Sequence, residues 1–179
     1  FGDGGAVITN KKKIYDKLKL LRDHGRLNGY VKLWGFNARL DNIEAAILSF
    51  LLKKLPLFIK KRRHLAKIYS NELQYLKQIK LPYPPENNSI NFDTFQNFEI
   101  HAERSKNLQN YLNKNNIGTL KQWSGYALHD FKALQLGKVS KKTTKIFKDL
   151  IMLPMNISLS EKEVLFICSK IKNFYAKKK

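Results

Sequence analysis

Apolar positions change their spacing several times along this chain. Ile14, Leu18 and Leu21, flanked by Tyr15 and Leu20, recur on one helical face and stop at His24-Gly25, which predicts a helix with a glycine stop. Ahead of them, Ala6-Val7-Ile8-Thr9 is a short β-branched run between a Gly-Asp-Gly-Gly turn and the polar Asn10 to Lys13, the pattern of a buried strand in a larger sheet. Residues 26–37, with Asn28, Gly29, Gly35 and the aromatics Tyr30, Trp34 and Phe36, have no period and read as an ordered loop. From Ala38 onward apolar residues surround a long helix, expected to be buried on more than one side with Asn37 as its N-cap. Pro56 predicts a kink or restart, followed by an amphipathic stretch through Ile59, Leu65, Ile68, Tyr69 and Leu73.

The Pro/Asn-rich segment from Leu81 to Asn88 reads as an extended connector. Beyond it the pattern alternates. A strand is expected over 92–100, a helix over 102–115, a strand over 117–123, and a loop through His129. A helix over about 140–150, the short apolar run Ile151-Met152-Leu153 and a last helix complete the chain. Ser160 and Glu163 stand at the spacing of a capping box for that last helix. This alternation predicts a small α/β sandwich with helices on one face.

Composition narrows the picture only a little. The chain has 179 residues, 43% of them hydrophobic, enough for a real core. No apolar run approaches the ~18 residues that cross a bilayer, and no leader pattern is present, so no membrane partner and a cytoplasmic location are expected. The formal charge of +20 points toward nucleic acid. However, the lysines are spread over nearly every amphipathic segment, arginines are few, and no zinc, RRM or KH signature accompanies them. The true clusters, Lys60 to His64 and Lys177 to Lys179, are most simply solvated ends. His24, His64, His101 and His129 lack metal-ligand spacing, so no metal site is expected. Cys168, alone in an apolar run, reads as a small buried thiol.

Three stretches carry candidate chemistry. Asp23-His24 at a helix end is either a cap or a ligand contact. Asn37-Ala38-Arg39 is either a helix entry or a site for a phosphate or carboxylate. Gln122 to Tyr126 is either core packing with a turn, or aromatics lining a pocket over a sugar or base. Residue chemistry alone leads to an α/β chain of two modules, with a candidate anion site around residues 24 to 39.

The ordered set GDGGAVIT, LLRDHGR, GFNARLDNIEAAIL, KKRRHLAKIYSNEL, FQNFEIHAERSKNLQNYLNKNNIGT and LPMNISLSEKEV resembles the DegT/DnrJ/EryC1/StrS group of pyridoxal-phosphate sugar aminotransferases. The resemblance implies the C-terminal part of a fold-type-I transferase. Residues 1–37 would end the large cofactor-binding domain, 38–80 would form the connecting helices, and 81–179 the small α/β domain. It also implies homodimers that aminate nucleotide-linked keto sugars with glutamate as donor, in surface glycan or polysaccharide synthesis. Within that family pyridoxal 5'-phosphate is held as a Schiff base on a lysine a few residues upstream of the Gly-Asp-Gly-Gly turn. That lysine would precede Phe1, so no catalytic residue is assigned and this length of chain is expected to be inactive alone. By the same resemblance Asn37 contacts the cofactor phosphate across the dimer, His24 and Arg39 support the loop or the substrate, and Tyr30, Trp34 and Trp123 shape the sugar-nucleotide pocket. Gln122-Trp123 stands where many members carry His-Tyr, and resembles a subset acting on dTDP-linked 3-keto-6-deoxyhexoses. Two alternatives stay open: a non-catalytic binding or dimerisation module, and, third, a basic nucleic-acid-binding protein.

Overall fold

The Ile14, Leu18, Leu21 face forms helix α1, Lys12–Arg22, in a computed structural model that describes residues 4–86 and 92–176. Gly2 and Asp3 of the opening turn, Asn87 and Asn88 of the connector, and the cluster at 177–179 lie outside the described residues. The chain divides into two compact units, 1–55 and 56–179.

In the first unit, α1 ends where the Gly25 N–H donates to the Leu20 carbonyl at 2.7 Å, with Gly25 at φ +69°. The loop expected over 26–37 contains a small antiparallel hairpin, β1 (Arg26–Leu27) and β2 (Tyr30–Val31), with Leu27 opposite Tyr30. Asn28-Gly29 forms its turn with φ of 49° and 82°, both positive as a two-residue hairpin turn of this hand requires. The strand expected at Ala6 to Thr9 does not form, and Ile8 is 95% exposed. A β-branched run needs a neighbouring strand for its backbone groups, and among the described residues of this unit β1 and β2 pair only with each other.

The long helix also starts later than expected. Helix α2 spans Asn42–Leu52, and Asp41, not Asn37, holds the extended N-cap position. Asn37 instead pairs with Asp23 in an isolated antiparallel bridge, the Ala38 N–H donating to the Arg22 carbonyl at 2.9 Å, which keeps the backbone extended there. No α2 residue is buried, and Ile43, Leu48, Phe50 and Leu52 are exposed, against the expectation of burial on more than one side. Its apolar circumference has no second layer to pack on within the unit.

After a turn at Lys53-Lys54 the chain restarts as α3, Leu55–Leu73, with Pro56 in the first turn, where its missing N–H costs nothing. The second unit is built on a three-stranded antiparallel sheet, β3 (Ile79–Lys80), β4 (Phe98–Ala102) and β5 (Leu150–Leu153), in the order β3-β4-β5. Register places Phe98 opposite Leu153 and Ile100 opposite Ile151, so their side chains share one face. That face is buried with Leu65, Tyr69 and Leu73 of α3, with Leu108 and Leu112 of α4 (Ser105–Lys114), and with Val164, Ile167, Cys168 and Ile171 of α6 (Glu161–Ala176). The opposite face carries Lys80, Glu99 and His101 and is not buried. A small sandwich with helices on one face is what the alternation predicts. The second expected strand, 117–123, shrinks to a bridge between Leu120 and Met152, because the backbone turns left-handed at Trp123 and Ser124. β3 escaped the sequence reading because two residues carry no pattern.

Helix α5 (Lys141–Asp149) is capped by Ser140 Oγ. At α6 the capping box forms as the sequence suggests: the Ser160 N–H donates to Glu163 Oε2 at 2.7 Å and the Glu163 N–H to Ser160 Oγ at 3.3 Å. Ser160→Ala should lower the stability of this unit by about 1 kcal/mol, read from its thermal unfolding. The Ser160 backbone N–H, and then its hydroxyl, hold the Glu163 carboxyl below its ordinary value of 4.5. The cap's contribution is therefore complete above that value and disappears as pH falls through the lower folded value, an acid-side loss that a Glu163→Gln variant should not show. Burial pushes the Cys168 thiol up to about 12, so it stays protonated and packs as an apolar group.

Candidate functional site

The segment between α1 and α2 folds back on itself through backbone pairing. The His24 N–H donates to the Phe36 carbonyl at 2.9 Å, and the Phe36 N–H to the Leu21 carbonyl at 2.7 Å. Gly25 and Gly35 permit this close approach. A Cβ on Gly35 would lie 2.2 Å from the Gly25 nitrogen, and one on Gly25 would lie 1.8 Å from the Leu33 carbonyl oxygen.

The crossing gathers charged side chains that are far apart in sequence. Asp23 Oδ1 accepts from Arg26 Nη2 at 2.9 Å and from Arg39 Nη1 at 3.3 Å, while Arg39 Nε donates to Asn37 Oδ1 at 3.1 Å. Hydrogen bonding from Arg26 is the main reason that the Asp23 carboxyl lies below its ordinary value. With Asn37 Oδ1 engaged, the amide's NH2 group is its remaining hydrogen-bonding end. Asn37, Arg39 and Arg26 thus present N–H donors on one exposed loop, a donor set that suits an oxyanion such as a phosphate. Because α2 starts at Asn42, these are side-chain donors, and the helix-entry reading of Asn37 falls.

His24 lies beside this cluster, exposed, with φ of 57°. Tyr30 is on β2 with the Lys32 ammonium 5.6 Å from its ring centre, and Trp34 is 94% exposed. Arg26 was missed by the motif reading, although its i, i+3 spacing from Asp23 is a readable ion-pair signal.

Trp123 belongs to the second unit. It stands in a left-handed turn with Ser124 and Gly125, at φ of 49°, 56° and 83°, and is largely exposed, which excludes core packing. Its ring meets Phe131 edge-on at 6.4 Å, and Tyr126 packs on Phe131 at 6.0 Å. The turn borders a cleft of about 520 Å³ lined by Ser105, Lys106, Lys121, Tyr126, Lys148 and Asp149. The Lys121 ammonium, lowered from its ordinary value by burial, donates to Ser105 Oγ at 2.7 Å and to the Lys148 carbonyl, stapling the start of α4 to the end of α5. Among the described residues no group of three or more His, Cys, Asp or Glu is arranged to hold a metal, and no helix is long and apolar enough to cross a membrane.

The mixed α/β fold is that of the pyridoxal-phosphate sugar aminotransferases. Over 100% of its length the chain is similar to 48% of the crystal structure of DesV from S. venezuelae, with a TM-score of 0.87 and 26% identity. The chain belongs to the DegT/DnrJ/EryC1/StrS aminotransferase family, whose model matches residues 1–172. Members of the family depend on pyridoxal phosphate. Among curated relatives, GDP-perosamine synthase of Escherichia coli O157:H7 is 32% identical over 99% of this chain and 49% of its own length. A "pleiotropic regulatory protein" of Geobacillus stearothermophilus is 29% identical over 98% of this chain and 48% of its own. The chain spans about half the length of the curated relatives it matches.

Proposed function

We propose that this chain is the C-terminal part of a cytoplasmic aminotransferase of nucleotide-linked keto sugars, serving surface glycan or polysaccharide synthesis with glutamate as amino donor. In this reading residues 1–37, 38–80 and 81–179 are the end of the large domain, the connecting helices and the small domain. The observation that carries it is the side-chain donor set of Asn37 and Arg39 on the loop between α1 and α2, in a chain belonging to this family.

Bound pyridoxal phosphate supplies the electron sink through which an amino group passes between an amino acid and a keto sugar. The Asn37 amide would hold the cofactor phosphate through its free NH2 group, and Arg39 fixes that amide through its Nε contact. Being exposed on its own subunit, this loop acts on the site of a second copy in a homodimer, for which the bare apolar surface of α2 is a further support. Tyr30 and Trp34 offer aromatic faces to the sugar nucleotide, and His24 supports the loop or the substrate; Trp123, in the second unit, is a separate aromatic candidate for such a substrate. None of the chain's own residues takes the role of the covalent lysine, so residues 1–179 are inactive by themselves.

Fusing the chain behind the lysine-bearing half of GDP-perosamine synthase tests this. The fusion should aminate one member of a panel of GDP-, dTDP- and UDP-linked keto sugars with glutamate, while the 179-residue chain should not. Turnover by the chain alone would overturn its inactivity. A folded, dimeric fusion that binds pyridoxal phosphate but turns over no sugar would favour the non-catalytic module.

A further inference from the structure

We propose that Asp23 is a positioning residue for the oxyanion held by this loop: its carboxylate draws the guanidiniums of Arg26 and Arg39 to one point and, through Arg39, fixes the Asn37 amide. The inference rests on the reading of the loop as a cofactor-phosphate arm, and adds Asp23 and Arg26 to it.

Both arginines reach the same oxygen, Oδ1, one from three residues away along the hairpin and the other from sixteen residues away at the loop's far end. Two guanidiniums bonded to one oxygen must stand side by side, whereas unpaired on an exposed hairpin they would repel and sample many rotamers. Arg39 is the better fixed, because Nη1 is held by Asp23 and Nε by Asn37, which sets the plane of the fork. Each guanidinium has five N–H donors, so these contacts leave both arginines with donors for an anion. The backbone reinforces the arrangement, since Asp23 and Asn37 are themselves bridge partners. The carboxylate has an electrostatic cost, lowering the local positive charge by one. Asp23 therefore earns its place only if orientation outweighs that loss, and this gives the test its sign.

The probe is inorganic phosphate, titrated into the ¹⁵N-labelled 179-residue chain while the Arg26 and Arg39 Nε–H signals and the Asn37 side-chain NH2 signals are followed. Phosphate should shift all three sets. Asp23→Ala should weaken phosphate affinity by about 10-fold despite the added positive charge. Asp23→Glu should recover part of the loss, and Asp23→Ala should cost less in an Arg39→Ala background than in the parent, since only Arg26 is then left for it to position. Asp23→Asn, close in shape, keeps the test valid if the alanine variant loosens the loop: the His24 and Phe36 amides should stay protected while affinity falls. Tighter phosphate binding by Asp23→Ala or Asp23→Asn at low salt, or additive losses with Arg39→Ala, would overturn the proposal, because the carboxylate would then be only a competitor for the arginines. No response to phosphate in the unsubstituted chain would overturn the oxyanion reading of the loop itself, and the proposal with it.

Discussion

Phe98→Ala should cost the second unit about 3–5 kcal/mol, a large part of the stability of a domain of this size. Phe98 is fully buried, stacked on Tyr69 at 4.7 Å between ring centres and beside Phe95 at 6.1 Å, so truncation leaves a cavity in the middle of the sheet's covered face. The surroundings are poorly placed to collapse into it. Tyr69 is anchored by a 2.9 Å hydrogen bond from its hydroxyl to the Pro154 carbonyl, and its burial drives the phenol's pKa upward, keeping it a donor. Urea unfolding followed by the fluorescence of Trp123 should show a much lower midpoint. A midpoint within about 1 kcal/mol of the parent would mean that the core does not centre on this stack.

Gly35→Ala should melt the loop between α1 and α2 without touching the second unit. The added methyl would meet the Gly25 nitrogen at 2.2 Å, His24 C at 2.7 Å and the Leu21 carbonyl oxygen at 2.9 Å, all backbone atoms that no rotamer change can move aside. A loss of about 3 kcal/mol of local stability is expected, or roughly 100-fold less hydrogen-exchange protection at the amides of His24, Phe36 and Ala38. Melting this crossing separates Asp23 from Asn37 and Arg39, so phosphate binding should be lost together with the protection. Protection unchanged from the parent would show that the two chain segments do not approach as described.

Much of the second unit was legible in its sequence. The capping box at Ser160 and Glu163, the restart at Pro56 and the helices between follow rules that act within a few residues. Elements that depend on distant partners were read less well. Leu120 bonds to Met152, but whether a ladder grows from that pair was decided by the left-handed turn at Trp123 and Ser124, which the residue types did not announce. Ile79–Lys80 became a strand because β4 lay beside it. In the first unit, Asn28-Gly29 is the signal of a two-residue hairpin turn, which the aperiodic pattern of residues 26–37 masks.

The candidate site divides in the same way. The motif order pointed to His24, Tyr30, Trp34, Asn37 and Arg39 as one functional stretch, and the family match over residues 1–172 agrees with the resemblance on which that choice rested. The side-chain connections were not readable. Asp23 and Arg39 are sixteen residues apart, and nothing in their spacing says that one oxygen serves both Arg26 and Arg39.

The sequence by itself determined the family, most of the helices with the capping box at Ser160 and Glu163, and the residue types available for binding an anion, because propensity, capping and motif order are local properties of the chain. Tertiary structure alone decided that Asn37 is a bridge partner and not a helix cap, that Gly25 and Gly35 are where two backbones touch, and that Asp23 joins two arginines. These are contacts between residues distant along the chain. Their energies depend on geometry that only the folded backbone supplies.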